Sequence, residues 1–421
     1  MSAVATKRYF PLRPIQRRLM DAHFKKAKST MMNVGALLKL PSSLDPEMIA
    51  EVLNEILETH DIFRCRLEFH PETSDLCQTF DTDPPEIEVK KISDEDFEKR
   101  IEKLKEPYEI IENPLFRIYV FETPTAGYMY TDFYHAIMDG TSIALLFVKE
   151  LDIRYRGRFL NHTPGSYARY VSEESMIPEE ELAEGHAYWR SMLLNFDRQK
   201  NLPAPDISGG KAWSKGEYKT KIKNVSDEYF HTHTGKENIF FLAAALLTLA
   251  KVTGADEAIV NRVHNGRVTA REYRIMGLMM DQFPCYRDFH DDLKVEDFLN
   301  ELEGQVQSDL MYRKSLDIVY NEGLADDCPG FIFQKNIAPD HVMIGDSQAI
   351  VIDMPPNDMS AAENSLDIEV RATETGIYDL ILDYDAGRYS DRLMKNFAAT
   401  FDEIILNMQS KDILISKILH G

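Results

Sequence analysis

Apolar positions along the chain follow two rhythms. Leu44, Met48, Ile49, Val52, Leu53, Ile56 and Leu57 recur three or four residues apart, the spacing of one face of an α-helix. Asp45 offers a side-chain cap and Pro46 suits the first helical position, so the spacing predicts an amphipathic helix over residues 45–58. Phe63 to Phe69 alternates loosely and reads as a strand. Residues 71–86 are polar, hold Pro71, Pro84 and Pro85, and read as a loop. Asp94 to Lys105 reads as a charged helix and Phe116 to Glu122 as a strand. Tyr128 to His135 reads as another strand. There a period of two puts Met129, Thr131, Phe133 and His135 on one face and Tyr128, Tyr130, Asp132 and Tyr134 on the other. Asp139-Gly140 makes a turn, and Ser142 to Leu151 reads as an apolar helix. The most apolar run, Ile239 to Ala250, is too short to span a bilayer and reads as a buried helix.

The pattern weakens over residues 153–180, which hold Arg154, Arg156, Arg158, Pro164, Gly165 and Pro178, and this is the best candidate boundary. A helix restarts near Glu179 and runs past Tyr188-Trp189. Residues 197–216 read as a loop. One internal echo is visible. Gly127, a strand, the turn at Asp139-Gly140 and a helix resemble Gly376, the strand Ile377 to Tyr384, the turn Asp385-Ala386-Gly387 and a helix from about Asp391. Two lobes of related α/β topology would produce that echo, and so would chance.

Composition narrows the classes. The chain has 421 residues, 44% hydrophobic and 28% charged, which is ordinary globular usage and excludes wholesale disorder. Its 48 basic and 70 acidic residues give a net charge of −22, which argues against a nucleic-acid binder. Cys65, Cys77, Cys285 and Cys328 form no C-x-x-C pair and no disulfide framework, so they read as reduced, buried thiols of a cytoplasmic protein. Met1 to Arg8 has no apolar core and does not read as a signal peptide, and no membrane partner is expected.

Several chemistries find no footing. The chain lacks a phosphate loop, G-x-G-x-x-G, H-E-x-x-H and G-x-S-x-G. His231-Thr232-His233 could offer two metal ligands, but without a third at recognisable spacing it reads as a polar surface turn, and no metal is expected. The informative segment is Phe133-Tyr134-His135-Ala136-Ile137-Met138-Asp139-Gly140-Thr141-Ser142. A His at a strand end faces whatever cleft lies there, and a neutral imidazole can take a proton from an amine or a hydroxyl. A core His held by a hydrogen bond would give the same sequence. On these residues alone both readings stand.

Tyr134-His135-Ala136-Ile137-Met138-Asp139-Gly140 resembles the H-H-x-x-x-D-G signature of nonribosomal peptide synthetase condensation domains, a branch of the chloramphenicol-acetyltransferase-like acyltransferases. Other segments resemble the family in the same order. Leu12 to Met20 is similar to its opening S-x-A-Q-x-R-L-W, and Thr59 to Leu67 to R-H-x-x-L-R-T-x-F. Met276 to Arg287 is similar to I-G-x-F-V-N-T-x-P-x-R, and Leu382-Asp383-Tyr384 to the closing strand. There are departures. Tyr134 stands where the family has its first His, Asp281-Gln282 replaces the Asn–Thr pair, and no P-F-E motif is visible near Ser315-Leu316-Asp317.

The resemblance implies an α/β fold of two chloramphenicol-acetyltransferase-like lobes in a V with a tunnel between them. Residues 1–170 would be the lobe carrying the His motif, and 171–421 the lobe completing the tunnel. It implies that His135 orients or deprotonates an acceptor amine, which attacks a donor thioester. The Gly140 N–H would help hold the oxyanion. Asp139 would be structural and pair with Arg64, the matching family position. Tyr134, Met280, Asp281 and Gln282 would belong to the substrate channel, although the strand alternation makes Tyr134 a packing residue. The implied partners are acyl or peptidyl carrier proteins whose 4′-phosphopantetheine arms bear both substrates, and no cofactor is bound by the chain itself. Two basic clusters could dock such acidic carriers or could be solvated faces. One lies in residues 1–28 and includes Arg17, Arg18 and Lys25, and the other holds Arg154, Arg156 and Arg158. An O-acyltransferase, an epimerisation relative and an inactive recruiting domain of the same fold remain as alternatives.

Overall fold

The Asp45 side chain accepts from the Glu47 N–H, Pro46 occupies the first helical position, and the helix they start runs Pro46–Thr59. It buries Ile49, Val52, Leu53, Ile56 and Leu57, the stripe its spacing predicts. This computed structural model describes residues 7–194, 196, 201–208, 212–225, 229–230, 236–289, 293–335, 340–358, 365–374 and 377–421. His231, Thr232 and His233 lie outside the described residues, as does Gly376 of the internal echo.

The chain divides into two compact units. The first comprises Met1–Ile177, Asn265–Met280 and Ile337–Ala361, and the second Pro178–His264, Asp281–Asn336 and Ala362–Gly421. The first passage lies between Ile177 and Pro178, and residues 265–280 and 337–361, expected in the lobe 171–421, belong to the first unit. Neither unit is a single run of chain, which no local pattern announces.

The first unit holds a six-stranded sheet in the order His341–Ile344, Ser347–Ile352, Asn33–Leu40, Gly127–Tyr134, Phe116–Glu122, Val89–Lys91. The central strand Gly127–Tyr134 pairs antiparallel on both sides, Phe133 lying opposite Val34 and Phe116. One face carries the larger core, where Phe63 packs on Phe116 at 5.2 Å and Phe133 on Phe147 at 5.3 Å between ring centroids. The other face carries Tyr130, Phe121 and Leu37 under Phe97 of the helix Asp94–Ile101. That split follows the alternation of the strand, because successive side chains leave a pleated backbone on opposite sides.

The second unit holds another six-stranded sheet, in the order Asp281–Asp288, Glu257–His264, Gly330–Lys335, Leu366–Glu374, Ile377–Asp385, Lys215–Lys221. Helix Glu237–Thr253 is buried throughout from Ile239 to Ala250, as an all-round apolar run requires, and stops at Gly254 with φ +69°. Helix Asp391–Met408 packs Phe397, Phe401 and Ile405 into the same core.

The structure departs from the sequence reading in four local places. Asp61–Arg64 is a single 3-10 turn, and the strand behind it is only Arg66–Phe69. Residues read as loop contain a strand, Leu76–Thr79, which pairs with Arg66–Phe69 and with Phe10–Pro11. Its Gln78 is buried and satisfied by the Pro11 carbonyl and by Gln16, so a polar stretch became core through distant partners. The charged helix ends at Ile101. Ser142–Phe147 winds as a π turn before the α-helix Val148–Tyr155. All four cysteines are buried and none forms a disulfide. No helix of the described residues is long and apolar enough to cross a membrane.

Candidate active site

The strand Gly127–Tyr134 ends one residue before His135, whose own N–H donates to the Met32 carbonyl at 2.8 Å. This bond extends the pairing by one step and fixes the Cα from which the imidazole projects. Ring atom Nδ1 lies 3.0 Å from the Met138 carbonyl. A carbonyl can only accept, so Nδ1 carries the hydrogen of the neutral ring and Nε2 keeps its lone pair. The turn is pinned on its other side by Gln16. Its Nε2 donates to the Ala136 carbonyl at 2.9 Å, while its Oε1 accepts from the Arg13 N–H at 2.9 Å. Gln16 is fully buried, so its amide acts as a fixed strut.

Asp139 caps the helix that follows. Its Oδ1 accepts from the Ser142 N–H at 2.7 Å, and its main-chain carbonyl from the Ile143 N–H at 3.0 Å. Gly140 opens that helix, so its N–H belongs to the set that a helix leaves without an intrahelical acceptor. Oδ2 of Asp139 accepts three more bonds, from Arg267 Nη1 at 2.8 Å, the Met279 N–H at 2.8 Å and the Met280 N–H at 3.1 Å. Both side chains of the ion pair are buried, Arg267 at 0% and Asp139 at 2% exposure.

The partner of Asp139 is thus Arg267, which corrects the expected pairing with Arg64. Arg64 is instead paired with Asp83, an exposed residue. Arg64 sits on the 3-10 turn Asp61–Arg64, which directs it toward the loop after Leu76–Thr79. Arg267 reaches Asp139 because Asn265-Gly266 turns the chain: the Asn265 side chain accepts from the Arg267 N–H at 3.0 Å. Gly266 has φ +69°, and a Cβ there would stand 1.6 Å from the Met279 carbonyl oxygen. The Asn-Gly dipeptide after an apolar strand was the available signal for this turn.

The remaining expected residues fall in different places. Tyr134 is buried in the first unit's core, its ring 5.5 Å from that of His23 and its hydroxyl 3.9 Å from Met20 Sδ, so it packs and does not line a channel. Met280 belongs to the first unit and is held through its N–H by Asp139. Asp281 and Gln282 begin a strand of the second unit, where the Gln282 backbone exchanges hydrogen bonds with the Tyr320 hydroxyl at 3.3 and 3.2 Å.

Arg17 and Lys25 are exposed and Arg18 half-buried on the helix Pro14–Lys25. In the second basic cluster, Arg154 and Arg156 are paired with carboxylates. Arg154 bonds Glu150 at 2.7 Å and Glu55 at 2.9 Å, and Arg156 bonds Asp152 at 2.9 Å and Asp346 at 2.5 Å. Among the described residues, no three His, Cys, Asp or Glu side chains gather as a metal ion would need. A cleft of about 610 Å³ in the first unit, lined by Lys90, Tyr108, Arg117 and Tyr119, includes no residue of the His135 turn.

The chain as a whole is similar to known proteins. The condensation-domain family model matches residues 6–411. Surfactin synthase subunit 1 of Bacillus subtilis (strain 168) is 22% identical over 414 residues, covering 94% of this chain and 11% of the relative. Tyrocidine synthase 3 of Brevibacillus parabrevis is 22% identical over 362 residues, covering 79% of this chain and 6% of the relative. The chain thus matches only a small part of the length of these curated relatives. Among solved structures, the condensation domain of the monacolin K polyketide synthase MokA superposes with a TM-score of 0.77 at 18% identity, covering 97% of this chain and 99% of that one. The X-domain solved in complex with OxyB from teicoplanin biosynthesis gives 0.75 at 15%, covering 99% and 97%. A family model that spans nearly the whole chain, on a two-unit α/β fold with a His held at a strand end and a buried Asp–Arg pair behind it, makes this chain a member of the condensation-domain family.

Proposed function

We propose that this domain forms an amide bond between a thioester-bound acyl donor and an amine acceptor, both presented on phosphopantetheine arms of carrier proteins. The observation that carries this reading is the bond from His135 Nδ1 to the Met138 carbonyl, which leaves Nε2 as the basic atom. In the reaction the acceptor nitrogen attacks the donor carbonyl, and Nε2 holds and then takes the amine proton as the C–N bond forms. The Gly140 N–H, which has no intrahelical acceptor at the helix start, donates to the oxyanion in this reading. As the tetrahedral centre collapses, the C–S bond breaks and the proton passes from the imidazole to the leaving thiolate. The carriers supply the phosphopantetheine, so His135, Gly140 and the pair Asp139–Arg267 are the chain's own contribution. Exposed Arg17 and Lys25 suit the acidic surface of a carrier.

Tyr134 in place of the family's first His favours a second reading, a recruiting domain that keeps the fold and binds partners without chemistry. A donor carrier loaded with an acyl thioester, offered with amine and with alcohol acceptors, separates these readings. An N-acyl product supports condensation. An O-acyl product supports an O-acyltransferase instead. Carrier binding with no product from either acceptor moves the recruiting reading to first place.

A further inference from the structure

Ser142 is fully buried, and its hydroxyl uses every bond it can make. It donates to the Gly277 carbonyl at 2.7 Å. It accepts from the Gly277 N–H at 2.9 Å and from Arg267 Nη2 at 2.7 Å. One side chain therefore grips both main-chain polar groups of a residue 135 positions away, and the arginine that holds Asp139. Tyr167 leaves residue 277 no room for a side chain: a Cβ there would stand 2.3 Å from the ring. Ser142 is also tied to Asp139 through its own N–H at 2.7 Å. Asp139 takes the Met279 and Met280 N–H groups, so the segment 277–280 is held at two points three residues apart, and both belong to the His135 turn.

We propose that Ser142 is a positioning residue for the reaction at His135. Its hydroxyl latches the segment Gly277–Met280 to the turn 135–142, and so fixes the Asp139–Arg267 pair and the start of the helix that bears the Gly140 N–H. The kinetic part of this inference rests on the condensation reading, and the latch itself does not. The π stretch Ser142–Phe147 follows directly on this anchored helix start.

Amide hydrogen exchange in Ser142→Ala tests the latch without any substrate. The Gly277, Met279 and Met280 amides should exchange about tenfold faster or more, while amides within the helix Pro46–Thr59 keep their wild-type rates. Wild-type exchange at Gly277 and Met280 overturns the latch whether or not the domain is active. A uniform rise across the first unit also overturns it, since that marks general destabilisation. If Ser142→Ala does not fold, Ser142→Cys keeps a weaker donor and acceptor at the same place and should show intermediate exchange. Wild-type rates in that variant overturn the proposal equally. In the condensation assay, Ser142→Ala should lower kcat by about 10- to 100-fold with little change in KM for the amine, and with the pH inflection of kcat unmoved. A wild type without turnover counts against the functional reading and leaves the exchange result standing. An active wild type with an unchanged kcat in Ser142→Ala removes the positioning role.

Discussion

Asp139 gathers four hydrogen bonds on its two oxygens, three of them from the segment that starts at Asn265. Removing its carboxylate leaves the fully buried Arg267 uncompensated, so Asp139→Ala should cost about 3–5 kcal/mol in a urea melt. Arg267→Ala should cost a similar amount for the converse reason. Arg64→Ala should cost less than about 1 kcal/mol, because Asp83 is 87% exposed and water screens the pair. Equal losses in Arg64→Ala and Arg267→Ala would contradict the assignment. His135→Ala should lower turnover by about 10²–10⁴-fold and leave carrier binding intact, measured by steady-state kinetics and by titration with the loaded carrier. His264, in the second unit, responds to acid. Burial, and then the charges of Arg262 and Arg313, push its pKa down to about 4. Between that value and the ordinary one the unfolded chain binds a proton that the folded chain refuses. Stability is then full above about pH 6.5 and falls as the pH drops toward 4, by about 2–3 kcal/mol. Both tryptophans, Trp189 and Trp213, belong to the second unit, so their fluorescence follows this loss, and His264→Asn should flatten it.

At the scale of elements, the helices Pro46–Thr59 and Val148–Tyr155 are joined by a buried group. Glu150 Oε2 lies 2.8 Å from His60 Nε2, and Oε1 lies 2.7 Å from Arg154 Nε. Burial alone would raise the Glu150 pKa, but the hydrogen bonds and charges of His60 and Arg154 outweigh it and hold the carboxylate below its ordinary range. A depressed folded pKa means that the contribution is present above the unfolded carboxylate value and is lost as the pH falls through the folded one. Glu150→Gln should therefore cost about 1–3 kcal/mol at pH 7, and the difference from wild type should shrink on acidification. A gap in urea midpoint that is constant from pH 7 to pH 3 would contradict this. Helices with a clean stripe and a cap, such as Pro46–Thr59, were legible in the sequence. The strand Leu76–Thr79 was not, because its buried Gln78 is made tolerable only by Pro11 and Gln16, which no local window contains.

Across the whole molecule, the first unit borrows two segments from the later chain. Strands His341–Ile344 and Ser347–Ile352 complete its sheet, and Asn265–Met280 supplies Arg267. Residues 1–177 expressed alone lack two of six strands and three of the four donors to Asp139, and should show the poor amide dispersion of an unfolded or molten chain. A well-dispersed spectrum from that fragment would contradict the dependence. Features with a local cause, or carried by ordered motifs, were legible in the chain alone: capped and periodic helices, the alternating strand that stops just before His135, the helix after Asp139-Gly140, and the likeness to condensation domains. Periodicity, capping and turn chemistry act over a few residues, so a window of sequence contains their cause. That Asp139 meets Arg267, 128 residues away, and not Arg64 follows from the assembled fold alone. It alone decided that Arg154 and Arg156 are neutralised and that Ser142 grips Gly277. Those outcomes depend on which distant backbones approach one another, and a buried charge or hydroxyl takes whichever partner the fold brings within hydrogen-bond reach.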